Sequence, residues 1–549
     1  MDERFDAVIV GSGAGGGILA KELSTAGWRV ALLERGPHLE SFGHLETRDA
    51  WTTGIHDVPF GPGPSEVRTV RKTDRDTARV VEPRAGLYGT LPAMVGGGTV
   101  YYGAMAWRFH PETFRLRSLL GEVPGANLAD WPFSYHDLEP FYEKAEYDLG
   151  VSGDDNPFGP PRKKPLPLPP LPGNLEAAAL HPAAKRLGWK PFHTPLAILS
   201  RPYRGRAACI GCPCCNGFGC EVGAKSSTLI TVIPEALGTG HCVLMPRCFV
   251  REITVDDRGN PDGVQFQESG STAWKRLAAR VVVVSCSATE TPRLLLNSRS
   301  RFFPNGIGNE HDQVGRNIEN DGSMFAYGLF DEIVTDMTGP GVCFAVDEFQ
   351  FRAKNSGRLG GILSNYHTRP PLAFTSRVQI PEAAKPYGAE LKSFYRRNFL
   401  RSIWLYATCH TLPREANRVD VDPEVRDARG SPVSRITYHQ HADNAATEQF
   451  MGDRCAELLQ EAGAKTVVKP RIVRESEAGI STHQLGSCRM GTDPKSSVTD
   501  RTGRVHGVPN IYVADGSLLV NPGGSNPSLT IQALAYWVAA HIIKSRSHG

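Results

Sequence analysis

No apolar run in this chain approaches the roughly 18 residues that a membrane-spanning helix needs, so no membrane span is expected. Neither charge sign dominates. The 61 Lys and Arg residues nearly balance 58 Asp and Glu, leaving a net charge of +3. That balance argues against nucleic acid or a strongly acidic surface as partner. The opening residues, Met1-Asp2-Glu3-Arg4-Phe5-Asp6, lack a basic segment followed by an apolar one, so no secretory signal is expected. The expected location is the cytoplasm, or outside it after export on a partner that carries the signal. There is no internal repeat, and no low-complexity tract beyond the prolines of 157–173, which should be extended and serve as a semi-rigid linker. At 549 residues the chain has room for two or more domains.

What is present begins at once. Phe5 to Val10 reads as a parallel strand buried on both faces, and Gly11-Ser12-Gly13-Ala14-Gly15-Gly16 follows it. Ile18 to Ala26 reads as a helix stopped by Gly27, and Arg29 to Glu34 as a second strand. A lone glycine fingerprint is weak, but this one follows a strand and opens a helix, as a dinucleotide site requires. Gly11 permits the tight turn, Gly13 lets backbone approach a pyrophosphate, and Gly16 lets helix and strand pack closely. Ala14 lies within the same turn. The helix start offers free amides to phosphates. Glu34 is placed to accept hydrogen bonds from ribose hydroxyls. Gly96-Gly97-Gly98-Thr99 and Asp515-Gly516 are two further points of close backbone approach, more than a nicotinamide cofactor needs.

Residues 40–85 read as irregular. A helix is expected from the Asp130-Trp131-Pro132 segment to about 149. Strands are expected at Val281–Val284 and Asn510–Ala514, and helices at 290–297 and 530–544. Seven scattered cysteines read as reduced core residues. Five others crowd into residues 209–220. Cys209, Cys212, Cys215 and Cys220 have ligand-like spacing, with Cys214 extra. Such runs hold iron–sulfur clusters or zinc, or serve as structural thiols or an oxidised pair.

These features resemble the glucose-methanol-choline (GMC) oxidoreductases, which are FAD enzymes. The resemblance spans nearly the whole chain. Its carriers are 11–16 with Glu34, 96–99, 287–298, 314–317, the Thr482–Met490 segment around His483, and Tyr512–Gly516 through Asn526–Thr530. It implies an α/β fold with two lobes. One is a Rossmann-like FAD-binding lobe (1–110, 221–320 and 476–549). The other is an α+β substrate-binding lobe with an antiparallel sheet (111–208 and 321–475). The Cys-rich segment 209–220 stands apart. It further implies that 96–99 lies along the pyrophosphate and flavin, that Val250 pairs its backbone with adenine, and that Asp515 and Gly516 meet the ribityl-phosphate region. Thr99-Val100-Tyr101-Tyr102 has no histidine where covalent-flavin relatives carry one, so FAD is expected to bind without a covalent link.

Oxidising an alcohol removes a hydroxyl proton and a hydride from one carbon. The resemblance makes His483 the general base, and a base in reach contributes about 10²–10⁴-fold. Asn526 is the second hydrogen-bond partner, where many relatives carry a histidine. His439, His441 and His506 are expected to be structural, and Gln484, Arg489 and Ser525 receive no role. Phe349, Phe351, Tyr366 and Trp404 are expected to be sheet core rather than a substrate platform.

The Cys-rich segment, with Glu221 to Ser227 after it, is similar to that of the gluconate and glucose dehydrogenase branch. There a three-iron cluster relays electrons to a cytochrome subunit. Long-chain alcohol oxidases of the family have such a segment without an established cluster. The leading expectation is therefore an FAD dehydrogenase of a sugar, sugar acid or glycoside, with a small subunit or cytochrome as acceptor. The alternatives are a long-chain or sterol-like alcohol oxidase and a flavin electron-carrier subunit.

Overall fold

Phe5–Val10 carries almost nothing but apolar side chains and lies inside a seven-stranded sheet. A computed structural model describes residues 4–39, 66–82, 91–212, 215–336, 338–351, 359–366, 374–375, 378, 380, 387–469 and 481–546. The sheet order runs Cys242–Met245, Val30–Leu33, Phe5–Val10, Lys275–Val284, Pro261–Glu268, Cys248–Val255. Ile511–Val513 pairs in parallel with Val282–Val284, beside Phe5–Val10. The strands at 5–10, 30–33, 242–245 and 511–513 are parallel, and their Val/Ile/Leu content fits burial on both faces. The last 528–546 helix packs on the 16–25 and 135–149 helices.

Two larger sheets and a two-stranded ladder of Gln484–Leu485 with Glu319–Asn320 complete the frame among the described residues. Five antiparallel strands run in the order Ala345–Val346, Gly361–Asn365, Ser402–Cys409, Gly322–Leu329, Thr466–Val468. The Ala442–Glu461 helix covers this sheet and builds a second core with it through Met451, Cys455 and Leu458. A four-stranded sheet joins Arg418–Arg426 and Pro432–Thr437 to Arg68–Arg71 and Arg79–Val81. The parallel pairing of Thr69–Arg71 with Arg435–Thr437 therefore crosses the expected division between lobes.

Several elements differ from expectation. The first helix starts at Gly16, two residues early, because the bare glycine backbone fits beneath Ala514 and Gly11. Within the stretch expected to be irregular, Arg68–Arg71 and Arg79–Val81 are strands. They are short and charged, and their pairing comes from distant residues rather than local pattern. Residues 40–65 and 83–90 lie outside the described residues. The Tyr135–Leu149 helix starts on a reciprocal cap, with Ser134 and Asp137 bonding each other's backbone amides. The Pro-rich 157–173 segment is non-helical, but it is more than a spacer. Leu168 bridges Ser152, Arg162 binds Glu146, and Tyr135 donates to the Pro161 carbonyl. Among the described residues no helix is long and apolar enough to cross a membrane.

Candidate active site

The end of the Phe5–Val10 strand opens into a cavity of about 590 Å³, large enough for a sizeable ligand. Its walls include Gly11, Gly13, Ala14, Glu34, Gly97, Gly98, Thr99, Val250, Asp515, Gly516, His483 and Asn526. The chain brings these together from both of its ends.

Gly11 has a φ of +95°, and a Cβ there would lie 2.2 Å from the Ser285 carbonyl oxygen. A Cβ on Gly16 would lie 1.8 Å from the Gly11 oxygen. Gly15, which the sequence reading passed over, would meet the Ala514 oxygen at 1.6 Å. Gly13 differs: a Cβ there meets nothing within 4 Å, although the residue lines the cavity. Its bareness serves whatever enters the cavity, not the packing of the chain. The second glycine loop presses on the first. A Cβ on Gly97 would lie 3.0 Å from the Gly13 Cα, and the Gly96 amide donates to Ser12 Oγ at 3.1 Å. Thr99 Oγ1 donates to the Gly96 carbonyl at 2.6 Å and accepts from the Thr228 amide at 3.1 Å.

Glu34 is buried. Its carboxylate accepts from the Ser12 amide (3.1 Å), Ser12 Oγ (2.7 Å) and the Gly36 amide (2.9 Å). Asp515 accepts from the Ser287 amide (3.0 Å), the Ser517 amide (2.8 Å) and the hydroxyls of Thr291 and Ser517. Burial nonetheless pushes its carboxyl above the ordinary range. Asp515 thus ties the 287–291 and 515–517 loops together at the cavity wall. Beyond Val250 a charged cluster closes one end. Burial opposes ionisation of Glu290, but Arg293, Arg68 and Arg35 override it and hold the carboxyl well below its usual range. Sequence reasoning missed this cluster: Arg293 lies one turn from Glu290 on the same helix, but Arg68 reaches it only through tertiary pairing.

At the other end stands the His/Asn couple, joined by a donor chain that fixes its protons. Trp107 Nε1–H can only donate, and it reaches Asn526 Oδ1 at 3.1 Å. The Asn526 amide must therefore turn its NH₂ to His483, where Nδ2 lies 3.0 Å from Nε2. Nε2 accepts, so the neutral ring carries its proton on Nδ1. Burial pushes the His483 pKa down to about 4, so at neutral pH the ring is a free base. Trp107 was absent from the sequence reading. A tryptophan between alanine and arginine carries no local signal of a partner more than 400 residues away.

The remaining predicted residues divide. Tyr366 lines the cavity, with Phe325 and Tyr406 at its edge and face. Trp404 stacks on Tyr327, and Phe349 and Phe351 pack on Trp189 and His410. Gln484, given no role, also lines the cavity and accepts from Thr289 Oγ1 at 3.0 Å. His441 caps the 442–461 helix, His439 meets Arg414 and His506 meets Ser497.

Cys209, Cys212, Cys215 and Cys220, the expected metal ligands, are half-buried free thiols on the segment before Lys225. Among the described residues no group of three or more His, Cys, Asp or Glu side chains is placed to hold a metal ion. The buried Lys225 ammonium donates to the carbonyls of Tyr102 (3.0 Å), Cys215 (2.7 Å) and Phe218 (2.6 Å). Burial pushes the Cys215 thiol up to about 12. Cys214 lies outside the described residues.

Fold and cavity together define an α/β oxidoreductase with a dinucleotide cradle. The GMC oxidoreductase family matches residues 92–321 and 413–535. The chain belongs to the GMC oxidoreductase family. It is 30% identical to paromamine 6'-oxidase of Streptomyces fradiae, over 97% of this chain and 90% of that one. It is 27% identical to the gluconate 2-dehydrogenase flavoprotein of Pantoea cypripedii, over 98% of this chain and 94% of that one. The fold matches the crystal structure of pyridoxine 4-oxidase from Mesorbium loti with a TM-score of 0.65 at 17% identity, covering 98% of each chain.

Proposed function

We propose that this enzyme takes hydride from a CH–OH carbon of a sugar, sugar acid or glycoside, using non-covalently bound FAD. The observation that carries the reading is the Trp107–Asn526–His483 chain. It turns an imidazole lone pair and an amide N–H towards each other in the cavity that holds both glycine loops.

The residues fit FAD. Glu34 and the Val250 strand suit the adenosine end, bare Gly13 and the 96–99 loop suit the pyrophosphate, and Asp515 and Gly516 border the stretch leading to His483. FAD, when bound, supplies the hydride acceptor. The chain's own residues handle the proton. A substrate hydroxyl entering between His483 and Asn526 opens their 3.0 Å hydrogen bond, donates to Nε2 and accepts from Nδ2–H. The imidazole takes that proton as the carbon gives up its hydride. Neutral His483 is ready at any pH well above 4.

Two relatives, named for paromamine and gluconate, support the sugar-like substrate class. The division into cofactor and substrate lobes accords with the separate seven-stranded and five-stranded sheets. The proposed acceptor is a partner subunit or cytochrome.

The test is a panel of sugars, sugar acids, glycosides, long-chain alcohols and sterols, with an artificial electron acceptor, run with and without oxygen. Turnover on the first three classes is expected. Activity confined to long-chain alcohols or sterols would refute the substrate class. His483→Ala is expected to keep its yellow flavin and lose about 10²–10⁴-fold in turnover. A variant within threefold of the parent would remove His483 as base.

A further inference from the structure

The His483 ring has a second nitrogen, and the tautomer fixed by Trp107 and Asn526 places a proton on it. Nδ1 lies 3.7 Å from Asp321 Oδ2. Asp321 is brought there by the short ladder that pairs Gln484–Leu485 with Glu319–Asn320, reinforced by the Ser481 amide donating to Asn320 Oδ1 at 2.9 Å. The Asp321 side chain is fully buried and lines the cavity, and neither oxygen has a hydrogen bond of normal geometry, the Gly524 amide alone lying near enough to favour the anion. An enclosed carboxyl without partners is costly unless a charge or donor meets it during function.

We propose that Asp321 is the positioning carboxylate of His483: it accepts Nδ1–H and is the counter-charge of the imidazolium formed at each turnover. This deepens the proposed function and rests on His483 being the base. The hydroxyl proton moves to Nε2, the two electrons of the C–H bond leave as hydride to the flavin, and a C=O bond forms. Asp321 keeps its own protonation state throughout. The 3.7 Å gap is the open form of a contact that tightens when substrate fills the site, as catalytic hydrogen bonds do.

The surroundings single out Asp321. Glu319, on the same short strand, is turned to Tyr438 and the Asn320 amide, and burial pushes its carboxyl up to about 8. Arg414 acts on Glu319. From the adjoining 402–409 strand, Tyr406 and Cys409 are both held protonated by burial. The Gly524 amide favours the Asp321 anion, while burial and Glu319 oppose it. Burial thus presses Asp321 toward neutral acid and His483 toward neutral base, so a cation arising on the ring benefits both.

The test uses the FAD-loaded full chain and the isosteric Asp321→Asn variant. The pH-independent turnover is expected to fall about 10–100-fold with KM within threefold. The acid limb of kcat/KM, which belongs to the coupled pair, is expected to move to lower pH, because the imidazolium loses its counter-charge. Single-turnover flavin reduction without oxygen should fall equally, which separates chemistry from product release. Turnover within threefold of the parent, or a fall with an unmoved acid limb, overturns the assignment. Should the Asn variant fail to hold flavin, Asp321→Ser is measured by the same two readouts. If His483→Ala is itself fully active, the proposed function fails. If only Asp321→Asn is silent, this inference fails alone.

Discussion

A single carboxyl sets a pH response for the whole protein. Glu319 is buried and its acid form is favoured up to about 8, against an ordinary 4.5. Its pKa is raised in the fold, so the stability it contributes is complete below about 4.5 and drains away as pH climbs towards 8, because the unfolded chain ionises first. Glu448, pushed up to about 7 by burial, adds the same sign. These two carboxyls favour a higher melting temperature near pH 5 than near pH 8, while His483, lowered to about 4 by burial, works in the opposite sense below about 6.5. Glu319→Gln is expected to flatten that difference in a thermal-denaturation series, because it mimics the neutral acid and still accepts from Tyr438. An unchanged slope would mean that Glu319 is ionised in the fold. At this scale the sequence reading found His483 and Asn526 through their flanking motifs. It could not find Trp107 or Asp321, whose parts depend on which atoms face which across hundreds of residues.

Among elements, the turn from the first strand to the first helix separates two uses of glycine. Gly16 has no space for a Cβ, and Gly13 has ample space on the protein side. Gly16→Ala is expected to destabilise the fold and lower expression, since a Cβ 1.8 Å from a carbonyl forces the helix off the strand. Gly13→Ala is expected to fold with the parent's circular dichroism yet retain flavin at least about tenfold more weakly, read by the flavin-to-protein absorbance ratio after dialysis. Equal retention would place the pyrophosphate elsewhere. This turn was legible because strand, glycines and acidic residue follow one another within 30 residues. Arg68–Arg71 and Arg79–Val81 were not, because such short charged and β-branched runs become strands only when Arg435–Thr437 pairs with the first and the first pairs with the second. In the cysteine segment, spacing along the chain says which sulfurs can converge but not that the Cys215 and Phe218 carbonyls gather on Lys225.

Across the whole molecule, the cofactor cradle is a joint between distant parts of the chain. Residues 10–15, 97–99 and 248–251, with members of the 285–297 and 515–531 stretches, face it. A ligand held by so many segments stabilises them together: at a hundredfold excess over its Kd, FAD is expected to add about 2.7 kcal/mol. Stripping the flavin should lower the melting temperature by a few degrees and restoring FAD should recover it, whereas AMP alone should recover only part. An FAD-independent melt would contradict a cradle shared in this way. The late strand Ile511–Val513 lies beside Val282–Val284, and Val10 lies on their other side. Synthesis proceeds from one end, so a ribosome has to deliver nearly all of the polypeptide before the nest for the coenzyme can close. Products of interrupted translation would emerge colourless, and a tag that slows release of the final helix would delay acquisition of colour.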